Sequence, residues 1–172
     1  MQLVFATNNN NKIKEVQTLI PSHIKLLSLQ DIGCFEDIPE TQNTIEGNAI
    51  QKVEYIKTHF GYDCFADDTG LEVEALNGEP GVYSSRYAGA QCNPQDNMNK
   101  LLDALQGIDN RNAQFRTVIA VTLNNNEHLF EGVVKGHITT EKHGSNGFGY
   151  DPIFMPIGYN NTFGELSDEV KN

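Results

Sequence analysis

The stretch Phe65-Ala66-Asp67-Asp68-Thr69-Gly70-Leu71 is the most informative part of this sequence for both the fold and the candidate site. A short apolar segment gives way to two adjacent carboxylates and then to Thr-Gly, which predicts a strand that runs into an acidic turn. Loops that leave a strand end are where sites are usually built. Two neighbouring acids repel each other, so the pair is costly unless a cation offsets its charge. The alternative is a solvated acidic turn.

A glycine-punctuated run follows this stretch and ends in Pro80-Gly81-Val82-Tyr83-Ser84-Ser85-Arg86-Tyr87. The guanidinium of Arg86 is available for an anionic group of a substrate. Acids, glycines and an arginine in this order indicate a metal-assisted phosphate site.

Length and composition predict one soluble domain over residues 1–172, or two lobes that share a core. Hydrophobic residues make up 38% of the chain and charged residues 20%, as in ordinary globular proteins. No apolar run approaches the roughly 20 residues that span a bilayer, and the N-terminus lacks a signal-peptide pattern, so no membrane contact is expected. The cysteines Cys34, Cys64 and Cys92 have no metal-like spacing, which predicts reduced thiols and a cytoplasmic location.

The net charge of -11 argues against a surface that binds nucleic acid, because such a surface needs clustered Lys and Arg. A free nucleotide is not excluded, since a pocket can be locally positive within an acidic protein. Such a pocket would use several of the 12 basic residues together with a divalent cation.

Alternating strand and helix patterns predict an α/β fold with a mixed sheet. The predicted strands are residues 3–7, 24–29, 64–66, 71–76, 113–123 and 128–139, of which the last two form a hairpin across Asn124-Asn125-Asn126. The predicted helices are residues 12–20, a long helix from the N-cap Thr44 to Gly61, and a third that opens at Asn93-Pro94.

A polar segment joins the first strand to the first helix. Backbone N–H groups at a helix N-terminus attract phosphate, and hydroxyl, amide and ammonium groups add donors. The alternative is an Asn-rich turn with a capping residue. The candidate phosphate contacts are Thr7, Asn8, Asn9, Asn10, Asn11 and Lys12.

A second candidate segment is Pro39-Glu40-Thr41, which precedes the long helix. Asn48 and Lys52 lie one turn apart on that helix, so both can face the same site. Glu40 would supply a metal ligand from a different part of the chain than Asp68. The alternative is a solvated acid and a lysine whose stem lies along apolar surface.

A third candidate segment is His143 to Pro152, which is rich in glycine. Its aromatic rings can stack on a planar base, and Asp151 can accept a hydrogen bond from a ring N–H that guanine or hypoxanthine offers and adenine does not. The alternative is a hairpin tip whose rings fold into the core. The candidate base contacts are Phe148, Gly149, Tyr150 and Asp151.

Taken in order along the whole chain, these motifs resemble the inosine/xanthosine triphosphate pyrophosphatase family. Each motif alone is weak, and the ordered set is specific. The set is Thr7-x-Asn9-x-x-Lys12, Pro39-Glu40-Thr41, Asn48-Ala49-x-x-Lys52, Ala66-Asp67-Asp68-Thr69-Gly70-Leu71, Pro80 to Tyr87 and Gly147-Phe148-Gly149-Tyr150-Asp151-Pro152.

The resemblance implies a two-lobed α/β fold with a long mixed β-sheet flanked by helices and an active cleft between the lobes. It also implies a homodimer that needs Mg²⁺ and cleaves non-standard purine nucleoside triphosphates (ITP, dITP, XTP) to the monophosphate and pyrophosphate. Such an enzyme removes these compounds from the nucleotide pool.

Residue by residue, the resemblance implies catalytic roles for Asp68, Lys12 and Lys52, with Asp68 as the base that activates water. Glu40 and Asp68 would bind the metal. The implied substrate contacts are Thr7, the asparagines Asn8 to Asn11, Lys12, Thr69, Arg86, the segment Phe148 to Asp151, and Lys171.

The chain departs from the family pattern at its C-terminus. The family continues to a Ser-His-Arg motif that helps read the base, whereas this sequence stops at Lys171-Asn172, truncated relative to the family. Base selectivity is then expected to rest on Phe148 to Asp151. Two alternatives stay open: a house-cleaning pyrophosphatase for modified pyrimidine nucleotides, and a nucleotide-binding module with impaired catalysis or selectivity.

Overall fold

A computed structural model describes all residues from 1 to 172. The strands are β1 (Gln2–Phe5), β2 (Lys25–Leu27), β3 (Cys64–Val73), β4 (Pro80–Gly81), β5 (Asn112–Leu123), β6 (Asn126–Ile138) and β7 (Phe154–Pro156). The α-helices are α1 (Asn10–Leu19), α2 (Ile45–Phe60), α3 (Pro94–Ala104) and α4 (Asp168–Lys171).

The strands form one mixed sheet. Six of its seven strands follow the order β2-β1-β3-β5-β6-β7, and the seventh, β4, pairs with β3 off this path. β1 is parallel to β2 and β3, whereas β4 is antiparallel to β3 and β7 is antiparallel to β6. The predicted α/β class with a mixed sheet flanked by helices is confirmed.

The chain comprises two compact units, each with its own apolar core. Unit 1 is Met1–Asp68 with Thr117–Gly132, and unit 2 is Thr69–Arg116 with Val133–Asn172. In unit 1, Ile13 and Val16 of α1 pack on Leu3, Phe5 and Phe65. The core of unit 2 is formed by Leu71, Val73, Met98, Leu101, Leu105, Ile138, Ile153, Phe154 and Phe163 with their neighbours. The single domain over 1–172 stays a prediction.

The prediction of an acidic turn after Ala66 is wrong. β3 runs without interruption from Cys64 to Val73, and both Asp67 and Asp68 are buried within it. Composition misleads here because tertiary contacts give the two carboxylates polar partners, so the segment stays extended where a turn was the local preference.

α2 forms as its sequence predicts. The hydroxyl of Thr44 accepts a hydrogen bond from the Gly47 N–H, and Gly61 ends the helix in the left-handed conformation at φ 74°. The apolar stripe is buried at Ile45, Ala49, Val53 and Ile56. This helix therefore has a fixed start, end and rotation, which determines where its polar side chains point.

α1 begins two residues earlier than predicted, at Asn10. Asn9 is its N-cap, and its side-chain oxygen accepts hydrogen bonds from the N–H groups of Asn11 and Lys12. The second strand is shorter than predicted, since only Lys25–Leu27 pairs with β1.

The predicted hairpin is confirmed with a tighter turn. Only Asn124 and Asn125 join β5 to β6, with φ values of 50° and 64°. Two left-handed residues match the type I′ geometry that suits a two-residue hairpin, and asparagine tolerates this conformation better than most residues.

The three cysteines are free thiols; Cys34 and Cys64 are buried and Cys92 is exposed. No helix is both long and apolar enough to cross a membrane. Burial raises the pKa of Cys64 to about 12, so its thiol stays protonated at neutral pH and cannot act as a nucleophile.

We expect iodoacetamide at pH 8 to alkylate Cys92 in the native protein and to leave Cys64 unmodified, because only the thiolate reacts and only Cys92 is exposed. Peptide mass spectrometry measures the label at each thiol, and unfolding in guanidinium should make both cysteines react. Equal labelling of the two in the native state would contradict the structure.

Candidate active site

The two adjacent acids of β3 face different helices. Successive side chains of a strand point to opposite faces. Phe65 packs on the side of α1, and there the Asp67 Oδ2 atom lies 2.6 Å from the Nζ atom of Lys12. Asp68 lies on the side of α2, where its Oδ2 atom accepts a hydrogen bond of 3.2 Å from the Asn48 amide. The two carboxylates therefore point to opposite faces of the sheet and do not share a set of partners.

Lys52 is the buried cation of unit 1, with only 5% of its surface exposed. Its ammonium donates to the Glu40 Oε1 atom at 2.8 Å and to the backbone oxygen of Asp67 at 2.6 Å. Its position one turn after Asn48 puts both polar groups on one face of α2. The structure thus brings together three residues that the sequence assigned to one site, namely Lys52, Glu40 and Asp68.

Burial raises the pKa of Asp68 above the usual range of an aspartate. The Lys52 cation opposes this shift, the nearby Glu40 carboxylate adds to it, and the Asn48 hydrogen bond and the Lys12 cation lower the pKa. A carboxylate with a raised pKa is a better proton acceptor than an ordinary exposed aspartate, which suits a general base.

The segment before α1 is ordered by its own side chains. The Thr7 hydroxyl oxygen accepts a hydrogen bond from the Asn9 N–H at 3.1 Å, and Asn9 caps the helix. The amide of Asn8 donates to Asp37 at 3.4 Å, whereas Asn10 and Asn11 are exposed in the first turn. The capping interpretation is correct, and the assignment of this segment as a phosphate contact stays a prediction.

A second group of predicted residues lies together in unit 2. The buried Asp151 carboxylate accepts a hydrogen bond from the Phe148 N–H at 2.9 Å, and the same Oδ2 atom pairs with the Lys171 ammonium at 2.8 Å. That ammonium lies 4.3 Å from the centre of the Phe148 ring. A Cβ atom on Gly147 would lie 2.0 Å from the same Oδ2 atom, so the turn requires glycine there.

The segment that carries Arg86 is attached to this group through Ser84. Tyr150 donates its phenolic hydrogen to the Ser84 backbone oxygen at 2.6 Å, and burial raises the pKa of Tyr150. The Ser84 hydroxyl in turn accepts from the Leu71 N–H at 2.9 Å. The Arg86 guanidinium carbon lies 5.0 Å from the Tyr83 ring centre.

The remaining predicted contacts are Gly149 and Thr69. Gly149 adopts a φ of 60°, which favours glycine, beside the half-buried Phe148. Thr69 is half-buried in β3, directly after Asp68 in the chain.

Sequence reasoning missed two polar residues of unit 1. The motif predicts no role for Asp67, although its carboxylate pairs with the Lys12 ammonium. The helical pattern puts Asn48 on the same face as Lys52 but predicts no contact for it, whereas its amide donates a hydrogen bond to Asp68. The signal in the sequence for Asn48 was an amide placed between Ile45 and Ala49, two positions of the apolar stripe of α2, because a polar residue at such a position needs a hydrogen-bond partner.

Lys12 of α1 and Lys52 of α2 both contact the acidic part of the buried strand β3, an arrangement that suits an α/β enzyme acting on an anionic substrate. The chain belongs to the Ham1 family, whose sequence profile matches residues 3–172. The family resemblance inferred from the ordered motifs is therefore confirmed.

Individual relatives match over nearly the whole chain. The dITP/XTP pyrophosphatase of Flavobacterium psychrophilum is 64% identical over 99% of this chain and 90% of its own length. The solved Ham1 protein of Staphylococcus aureus is 40% identical, with a TM-score of 0.90 over 99% of this chain and 89% of that one. A nucleoside-triphosphatase and dITP/XTP pyrophosphatase from Mycobacterium abscessus is 39% identical, with a TM-score of 0.83 over 99% of this chain and 92% of that one.

Proposed function

We propose that this protein is a nucleoside triphosphate pyrophosphatase that converts ITP, dITP and XTP to the monophosphate and pyrophosphate. The relatives named dITP/XTP pyrophosphatase support the substrate class. The observation that carries the proposal is the buried contact of Lys52 with Glu40 and with the backbone of Asp67, beside Asp68. That arrangement supplies a cation for phosphate and a carboxylate for proton transfer on adjacent groups.

The residues present fit Mg²⁺ bound together with a substrate. No group of three or more His, Cys, Asp and Glu side chains is arranged to hold a metal ion by itself. Mg²⁺ prefers carboxylate oxygens, however, and is commonly held by only one or two carboxylates together with substrate phosphates. Glu40 and Asp68, which influence each other electrostatically, would hold it with the substrate. When bound, Mg²⁺ would offset negative charge on the phosphate oxygens.

The side chains of unit 1 would carry out hydrolysis as follows. Asp68 accepts a proton from a water molecule whose oxygen attacks the α-phosphorus. The bond between the α-phosphorus and the bridging oxygen breaks, and pyrophosphate leaves with its electron pair. Lys12 and Lys52 stabilise the charge that develops on the leaving group. Thr7 and the asparagines Asn8 to Asn11 orient the triphosphate.

In unit 2, we assign the base to the segment Phe148 to Asp151. The Phe148 ring offers a flat surface for stacking, and Asp151 offers an acceptor to the N1–H of hypoxanthine or xanthine. Lys171, held by Asp151, adds a donor for an oxo group of the base. Thr69 and Arg86 complete the proposed substrate contacts.

Three broader expectations complete the proposal: the homodimer rests on the family resemblance, and the other two rest on length, composition and the cysteines. We infer a single catalytic domain over residues 1–172, assembly as a homodimer, and a cytoplasmic location. The free thiols are consistent with the location, because cytoplasmic thiols are kept reduced.

The test measures release of pyrophosphate and monophosphate from ITP, dITP, XTP, GTP, dATP and a pyrimidine nucleotide such as dUTP, each with Mg²⁺ and with EDTA. We expect Mg²⁺-dependent cleavage that favours ITP, dITP and XTP. Preference for dUTP would support the pyrimidine alternative, and nucleotide binding without cleavage would support the binding module. Full activity in EDTA would refute the metal assignment.

A further inference from the structure

Asn48 is a buried amide on α2, on the face that also carries the buried Lys52 one turn later. Only 1% of its surface is exposed, and the other buried residues of this helix include the apolar Ile45, Ala49 and Val53. An unpaired amide at such a position would be costly, and an apolar residue of similar size would pack there. The position is therefore explained by the hydrogen bonds that its side chain makes.

Both ends of the Asn48 amide contact the proposed machinery. Its Nδ2 atom donates to the Asp68 Oδ2 atom at 3.2 Å. Its Oδ1 atom accepts from the Gln42 N–H at 2.9 Å, two residues after Glu40. One side chain thus joins the proposed base to the backbone of the loop that carries the other proposed metal ligand.

Lys52 makes a parallel pair of contacts one turn further along α2. It bonds the Glu40 side chain and the backbone oxygen of Asp67, the residue before Asp68. α2 therefore holds both β3 and the Glu40 loop at two successive turns, once through an ammonium and once through an amide. The Lys52 ammonium carries a positive charge that can attract a phosphate, whereas the Asn48 amide is neutral.

We propose that Asn48 is a positioning residue for hydrolysis, which fixes the orientation of the Asp68 carboxylate relative to the loop that carries Glu40. This inference rests on the proposed function of Asp68 as the base. A rotated carboxylate would still be buried and charged, yet its lone pair would no longer point at the attacking water. Misplacement of a reacting group by about 1 Å can cost on the order of 100-fold in rate.

The chain offers a matched control for a purely structural role. Gln51 anchors the same loop, since its side chain accepts from the Thr41 N–H at 2.9 Å and donates to the Thr41 hydroxyl at 2.9 Å. Both of these contacts are with Thr41, and neither is with Asp68. Gln51→Ala therefore loosens the loop and leaves the contact between Asn48 and Asp68 in place.

The experiment compares wild type, Asn48→Ala, Asn48→Asp, Gln51→Ala, Asp68→Asn and the double variant of Asn48→Ala with Asp68→Asn. Turnover and KM are measured with ITP and Mg²⁺, and thermal unfolding reports the folded fraction. Asn48→Asp keeps an acceptor for the Gln42 N–H and nearly the same side-chain volume, but it replaces the amide donor to Asp68 with a second carboxyl group, which repels the Asp68 carboxylate.

We expect Asn48→Ala to lower kcat about 10- to 100-fold with little change in KM, as is typical when a partner that orients a functional ligand is removed. Asn48→Asp should lower kcat at least as much as Asn48→Ala does, although it keeps the contact with the Gln42 N–H. Gln51→Ala should stay within about twofold of wild type. In the Asp68→Asn background, Asn48→Ala should lower kcat no further, because it acts through Asp68.

Either of two results would overturn this inference and leave the proposed function intact. One is near-normal kcat in Asn48→Asp, and the other is that Asn48→Ala lowers kcat by the same factor in the wild-type protein and in Asp68→Asn. The second result identifies a structural role, since independent effects multiply. Absence of hydrolysis by the wild-type protein for every nucleotide tested would instead overturn the proposed function. The wild-type measurement therefore separates the two failures.

Discussion

Replacement of Asp68 with asparagine should lower turnover of ITP by about 10³- to 10⁴-fold, at the upper end of what general-base catalysis contributes. The amide has the shape of the carboxylate and can still accept the Asn48 hydrogen bond, but it cannot take a proton from water. It also removes one of the two carboxylates proposed for Mg²⁺. The measurement is the rate of pyrophosphate release at saturating ITP and Mg²⁺.

The same variant should keep or raise the free energy of unfolding at pH 7. Burial raises the folded-state pKa of Asp68, so the stability gained from its protonated form is lost as pH rises through that folded pKa. At neutral pH the charged carboxylate therefore carries a burial cost that asparagine lacks.

Asp63→Asn is the matched control for this variant. Asp63 directly precedes β3 and pairs with Lys57 at 3.4 Å, outside the proposed site. Its turnover should equal that of wild type. Near-normal turnover in Asp68→Asn would remove Asp68 from the mechanism, and an equal loss in Asp63→Asn would indicate a general disturbance of the strand.

Replacement of Lys52 with methionine should lower turnover by about 10²- to 10³-fold, the usual cost of removing one preorganised group that stabilises developing charge. Methionine retains the length and apolar stem of lysine but leaves the Glu40 carboxylate and the Asp67 backbone oxygen without their shared donor. We expect a loss of unfolding free energy of about 1–3 kcal/mol. The Glu40 side chain is 39% exposed, so water compensates part of the lost ion pair.

Lys57→Met is the control on the same helix, because Lys57 pairs with Asp63 at the surface of unit 1. Steady-state kinetics and thermal unfolding of both variants distinguish a catalytic loss from a folding loss. If Lys52→Met loses stability but keeps turnover among the folded molecules, then Lys52 is a structural cation and the phosphate assignment fails.

The parts of the fold that depend on local sequence could be predicted closely. The cap at Thr44, the stop at Gly61 and the apolar stripe between them define α2 without reference to any other segment. The hairpin turn at Asn124 and Asn125 was predictable for the same reason, since few residues tolerate two successive left-handed conformations.

The motifs predicted which candidate residues lie near one another, and only partly which contacts they make; their roles stay predictions. Lys52, Glu40 and Asp68 come together, as do Phe148, Asp151 and Lys171. Composition suggested a turn at Asp67-Asp68, because two acids before Thr-Gly have low strand preference in isolation. Nothing local to that stretch revealed that Lys12 lies close enough to pair with one of the acids.

Local sequence patterns are enough to establish the α/β class, the family, the boundaries of α2 and the residues from which a phosphate and metal site can be built. These follow from periodicity, capping chemistry and the order of motifs along one chain. The folded chain is needed to show that β3 continues through the two acids and directs them to two helices, and that Asn48 contacts one of them. The physical reason is that a buried carboxylate takes its conformation from the partners that neutralise and solvate it, and those partners come from distant parts of the chain.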